Sequence, residues 1–324
     1  MDAFLCTVLV LSCGATPATT YRTPNFVVTA PTAEFARQVG DAAEYYRREL
    51  ATEWTGQVMR NWSAPCPIQV HVGPMGAGGA TTFQFDRGEV FGWNMRIQGT
   101  PERILDSVLP HEINHTIFAC YFRQPLPRWA DEGAASLIEH ESERARLKKI
   151  HEEVVGKPRQ IPLRQLLSMK NYPQDERQVL VLYAEGYSLA DFLVQQSSKP
   201  RYLQFLSAAL THGWEPAFEQ YYGYQRLEQL EEDLNRWVLA GSPPLRPKHG
   251  NLLAGSEAAR PQSAVIRAQS PEPLLVLGEP APWPKAAEPR TVAAPSRSRA
   301  SLLLPIASMA DGAARPSRAT LTHP

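Results

Sequence analysis

The hydrophobic period of the chain changes once, near Thr100. Before that point the apolar residues come in strand-length stretches: NFVVTA at 25–30, PIQVHV at 67–72 and TTFQFDRGEVFGWNMRIQG at 81–99. The last reads as a hairpin or edge strand around Arg87 and Gly88. One helix interrupts them, opening at a Thr32 cap with Phe35, Val39, Tyr46 and Leu50 at helical spacing. Beyond Thr100 nearly everything to about residue 240 has helical period, including WADEGAASLIEHESERARLKKIHEEV, VLVLYAEGYSLADFLVQQ and LEQLEEDLNRWVLAG. Strands first and helices afterwards predict an α+β domain, a small N-terminal mixed sheet followed by a mostly helical half, and not a doubly wound sheet. GAGGA at 76–80 lacks the Lys and Ser/Thr of a phosphate loop and reads as a flexible turn.

The two ends differ from this middle. MDAFLCTVLVLSCGATPA carries an apolar run at 4–11 followed by small residues, like an export signal, although Asp2 stands where a basic residue is expected. The run is too short to span a bilayer. VLSCG around Cys13 loosely resembles a lipoprotein cleavage site; lipidation there, plain cleavage near Ala18 and no cleavage are the three readings. Residues 1–23 are thus expected to be a signal, the protein periplasmic or extracellular, and a membrane touched only through a lipid anchor at Cys13. From Ser242 the chain is rich in Pro, Ala, Ser and Arg and holds 14 of the 29 prolines, which predicts a mostly disordered tail over 242–324 and a folded domain over 24–241.

With 33 basic and 33 acidic residues there is no bulk attraction for nucleic acid, and none is expected as a partner. Four cysteines, at 6, 13, 66 and 120, form no CxxC pair, which excludes a zinc ribbon and a thioredoxin-like redox centre. Cys66 and Cys120 are either a bridge or two buried thiols.

Chemistry concentrates at HEINH, residues 111–115. Thr100 caps a helix, Pro101 takes its first position and Glu102 complements its dipole, so HEINH falls in the second half of that helix. Pro110 deletes the backbone bond to Asp106 and should kink or restart the helix there. His111 and His115, four apart, share one helix face and can meet a single ion. A catalytic zinc needs a third protein ligand and an open position. RWADEGAASLIEH offers one: Glu132 on a helix after the RQPLPR turn, with Asp131 competing for the role. Glu112 is then free to act as a base.

HEINH followed by WADEGAA resembles the gluzincin metallopeptidases of the thermolysin-like and M1 aminopeptidase superfamily, whose second motif is similar to WLNEGFA. The resemblance covers about 24–240 and is nearest to bacterial peptidase MA-like domains of unassigned substrate. It implies Zn2+ on His111, His115 and Glu132, Glu112 as general base, and Asp131 as a hydrogen-bond partner for a ligating imidazole. Glu139, seven residues past Glu132, falls where those enzymes often carry a supporting glutamate. YAEG looks like their YxxG segment, which makes Tyr183, with Gly186, the donor to a tetrahedral oxyanion; Tyr187 is the substitute, and a packed helix tyrosine is the alternative to both.

The implied fold is a mixed sheet whose edge strand packs on a zincin-type active-site helix. Sixteen residues separate His115 from Glu132, somewhat fewer than is usual in M1 enzymes. FGWNMRIQG carries no clear copy of the GAMEN motif that holds a free amino terminus, so exopeptidase action is not implied. Residues 91–98, centred on Trp93, Asn94 and Met95, are expected to pair with an extended peptide as the edge strand. The expected function is zinc-dependent cleavage of peptides or proteins; the other reading is a catalytically silent domain that binds polypeptides at the cell envelope. His140 and His151 are expected to be solvated and His212 to sit in a turn.

Overall fold

A computed structural model describes residues 18–245 and the backbone of Arg299–Ser301. Six strands form one mixed sheet in the order β1-β2-β3-β5-β4-β6: β1 (Thr19–Arg22), β2 (Phe26–Ala30), β3 (Cys66–Val72), β4 (Gly78–Asp86), β5 (Glu89–Gly99) and β6 (Arg299–Ser301). β2, β3 and β5 are mutually parallel, β4 returns antiparallel to β5, and β1 and β6 lie antiparallel at the two edges. Helix α1 (Ala33–Thr55) crosses from β2 to β3, capped by Thr32, whose hydroxyl accepts from Phe35 N. Its Phe35, Val39, Ala43, Leu50 and Trp54 are buried, one apolar stripe at helical spacing.

The second half is helical, as the change of period predicts. α2 (Pro101–Arg103), a π turn at Ile104–Val108 and α3 (Leu109–Phe122) run on without a break. Pro110 stands in the first turn of α3, directly after the π turn, so the expected change of helix falls there. Leu109 N bonds to Ile104 O, five residues back, and the wider π turn absorbs the donor that proline lacks. α4 (Arg128–Ser136), α5 (Glu141–Val154), α6 (Leu163–Ser168), α7 (Glu176–Gln196), α8 (Lys199–His212), α9 (Trp214–Tyr222) and α10 (Leu227–Leu239) follow. α3 packs on α1, β4, β5 and α4, and α4 in turn lies along α7. Among the described residues, no helix is long and apolar enough to cross a membrane.

Several expectations need correction. The sheet begins at Thr19, inside the segment assigned to an export signal, because Thr19–Arg22 pairs with β2. The remainder of that segment lies outside the described residues, as does the 242–324 tail apart from residues 242–245 and β6. β5 is not an edge strand: its residues 95–98 are paired with β3 on one side and β4 on the other, and the stretch before Met95 is paired with β4. Met95 is paired with both Ile68 and Thr81, which leaves it no edge for a peptide; the Trp93 ring is buried against Trp62 and Phe83, and Asn94 pairs with Thr82. Gly78–Ala80 belongs to β4 and not to a flexible turn. Cys66 and Cys120 are free thiols; burial pushes Cys66 up to about 12, and Trp62 Nε1 donates to Cys120 Sγ.

The helix expected over 129–154 is two helices, because the chain turns at 137–140 and His140 caps α5 through Ser142 N. His140 is exposed, but His151 is buried with Leu147 and Val154 on the inner face of α5. Burial lowers its pKa to about 4. A histidine held neutral in the fold contributes stability that is complete above its ordinary value of 6.5 and is lost as pH falls toward 4. The full contribution is up to about 3 kcal/mol. Urea unfolding at pH 7 and at pH 4 should show His151→Leu losing about 2 kcal/mol less than the wild type between the two; an equal loss would contradict neutral burial.

Candidate metal centre

A helix turns about 100° per residue, so His111 and His115 lie within about 40° of each other while Glu112 projects a quarter turn away. Their ring centroids are 4.9 Å apart. The intervening Ile113 and Asn114 point into the core, where Asn114 Oδ1 accepts from Trp54 Nε1 at 2.7 Å, so the whole motif is buried. α4 brings Glu132 across from α3. Its height is set by the next residue: a Cβ on Gly133 would lie 2.2 Å from the Gly186 carbonyl oxygen of α7. Only glycine allows the two helices to lie this close.

Glu132 Oε2 lies 3.3 Å from His111 Nε2 and 3.6 Å from His115 Nε2. Two tetrahedral zinc ligands at about 2.1 Å from the ion are separated by about 3.4 Å, so these spacings suit a shared cation without rearrangement. Oε2 is buried and has no hydrogen-bond partner, an omission that is costly in a folded protein unless an ion takes its place. The three ligand atoms all fall within 4.8 Å of one another and could hold a metal ion; two imidazoles and a carboxylate suit zinc.

The far side of each imidazole is occupied. His111 Nδ1 is 2.7 Å from Glu139 Oε1, and His115 Nδ1 is 2.8 Å from Asp131 Oδ1. A carboxylate on Nδ1 keeps the proton there and turns the Nε2 lone pair inward. Asp131 and Glu132, neighbours in sequence, thus meet opposite ends of His115. Burial opposes charge on either imidazole, yet Glu132 and Glu139 raise His111 well above its ordinary value and Asp131 with Glu132 raises His115. Glu132 shows the converse: burial would raise it, but His115, His111 and Tyr172 bring it down to about 2. A pocket that attracts protons so strongly at its nitrogens attracts a divalent cation for the same reason.

Glu112 is held apart from this group by β4. Thr81 Oγ1 donates to its Oε2 at 2.6 Å, and a Cβ on Gly79 would lie 2.4 Å from its Oε1. Burial raises its pKa against the pull of His115 and His111. Tyr183 of α7 stacks on His111 with centroids 6.4 Å apart, and its phenol, raised far above its ordinary value by burial, lies within bonding reach of Tyr172 and Glu132. Tyr187 points elsewhere: it is 3.3 Å from Asp191 and packs with Leu147 and Ala184. Thr81 and Tyr172 carry no motif, and Gly79 lies in the GAGGA stretch whose composition suggests a turn. His212, the last residue of α8, is exposed and takes no part.

No family model and no curated protein matches the chain. Among solved structures it is similar to the M1 zinc metallopeptidase from Deinococcus radiodurans, at 16% identity and a TM-score of 0.34 over 69% of this chain and 49% of that one. A mutant of that enzyme bound to a Tyr-Ser-Ala substrate matches at 15% identity and a TM-score of 0.36 over 71% of this chain and 53% of that one. The chain thus spans about half the length of the structures it matches. Likeness at this level carries no functional argument. What defines the class is the chain itself, a mixed α+β domain with a buried His-His-Glu group able to hold a metal ion.

Removing either outer carboxylate, in Asp131→Ala or Glu139→Ala, should weaken zinc binding about 10- to 100-fold in competition with a chromophoric chelator. Unaltered affinity in both variants would show that these contacts do not orient the ligands.

Proposed function

We propose that the protein is a zinc-dependent metallopeptidase that hydrolyses peptide bonds. The observation that carries this reading is the convergence of His111 Nε2, His115 Nε2 and the partnerless Glu132 Oε2, with Glu112 on the same helix but engaged by another strand. When bound to these three atoms, zinc supplies Lewis acidity and brings the pKa of a water near about 7. Glu112 takes the proton of the attacking water and delivers it to the leaving amine, and its raised pKa suits both halves of that transfer. Thr81 holds one carboxylate oxygen, and the other lies against Gly79 of β4. Tyr183 stays a neutral phenol and donates to the oxygen on which charge develops in the transition state.

The peptide lies along the outer edge of β4, not along β5. Residues 82–84 of that edge pair with Arg299–Ser301, which supports its ability to accept an extended antiparallel strand. Residues 78–81, beside Glu112, are the stretch left for substrate backbone. An exported protein is part of the same reading, on the apolar run at 4–11.

The test is cleavage of an unfolded protein and of a mixed peptide library by zinc-loaded protein. Glu112→Gln should lose about 10³-fold in kcat while keeping its zinc, and Tyr183→Phe about 10²-fold with little change in KM. Cleavage by Glu112→Gln at the wild-type rate would overturn the reading.

A further inference from the structure

We infer that Tyr172 is a positioning residue for the metal site: its hydroxyl holds the second oxygen of Glu132 and so keeps that carboxylate a one-oxygen ligand. The inference rests on the proposed metal site and adds to it a residue from outside every motif.

Tyr172 lies in the connection between α6 and α7, and its phenol donates to Glu132 Oε1. The carboxylate is therefore divided. Oε2 faces the two imidazoles, and Oε1 is engaged on the other side. Glu132 is buried, so its Oε1 has no solvent to turn to; without the Tyr172 phenol, the partners left within reach are the Tyr183 phenol and the cation shared by Oε2, of which the cation is the stronger. A two-oxygen carboxylate would then occupy the position that a catalytic site must keep open for water and substrate.

The ring is fixed with unusual care for a residue in a loop. The Arg128 guanidinium sits 4.3 Å over one face, and the other aromatic neighbour, Tyr183, stacks nearly parallel with centroids 6.5 Å apart. Arg128 also anchors the loop itself: its Nε donates to Lys170 O at 3.2 Å and its backbone N to Met169 O at 2.9 Å. Arg128 is the first residue of α4, the helix that carries Glu132, so ligand and positioning phenol hang from one element.

The experiment uses Co(II)-substituted full-length protein and Tyr172→Phe, which keeps the ring and both stacking contacts. Visible absorption of Co(II) reports coordination number, being intense for four ligands and weak for five or six. The expected result is a less intense spectrum in Tyr172→Phe and a Co(II) dissociation constant raised about tenfold, with the melting temperature little changed. An unchanged spectrum and affinity in a folded Tyr172→Phe would overturn the inference and leave the metal site standing. A lower melting temperature with the wild-type spectrum would reduce Tyr172 to a packing residue and overturn it equally. Wild-type protein that binds neither Co(II) nor zinc would overturn the metal site and the inference together.

Discussion

The arrangement depends on where one carboxylate is held. Glu132 lies buried between two imidazoles at 3.3 and 3.6 Å, and the neighbouring features serve that placement. The crossing of α4 and α7 at Gly133 and Gly186 sets its depth, Tyr172 sets the rotation of its plane, and Asp131 and Glu139 turn the imidazoles to meet it. Burying so much charge is unfavourable unless it is mutually compensated, and within the site the acidic groups face imidazoles that hold either protons or a cation.

The candidate site draws on four elements. α3 carries His111, His115 and Glu112, α4 carries Glu132, α7 carries Tyr183, and β4 supplies the Thr81 hydroxyl that meets Glu112. The π turn before Leu109 belongs to the same economy. It lets Pro110 sit at the start of α3 without breaking a helix whose every residue from Leu109 to Ala119 is buried.

Much of this was legible in the sequence, for local reasons. His111 and His115 share a face because four residues make about one turn, and no tertiary fact is needed to see it. The α+β class follows equally from the one change of hydrophobic period. Strand order does not: alternation in 91–98 reports which face is buried but not which strands lie alongside, and β4 lies outside β5. The glycines at 76–80 suggest a turn by composition, whereas Gly79 is there because the Glu112 carboxylate leaves no room for a Cβ. His151 is hidden by the charged residues around it, although Leu147, His151 and Val154 fall at the spacing of one inner face. Tyr172 and Thr81 had no signal at all, since each reaches the site from a segment whose meaning is fixed only by tertiary contact.

The central claim is that three side chains of this chain hold one metal ion. Elemental mass spectrometry on protein purified without a metal-affinity tag, beside a His115→Ala variant, tests it most directly. The account predicts about one zinc per wild-type chain and its loss in the variant, since two ligands cannot retain what three hold. Wild-type protein that remains metal-free after incubation with zinc, or a variant that retains a full equivalent, would contradict it.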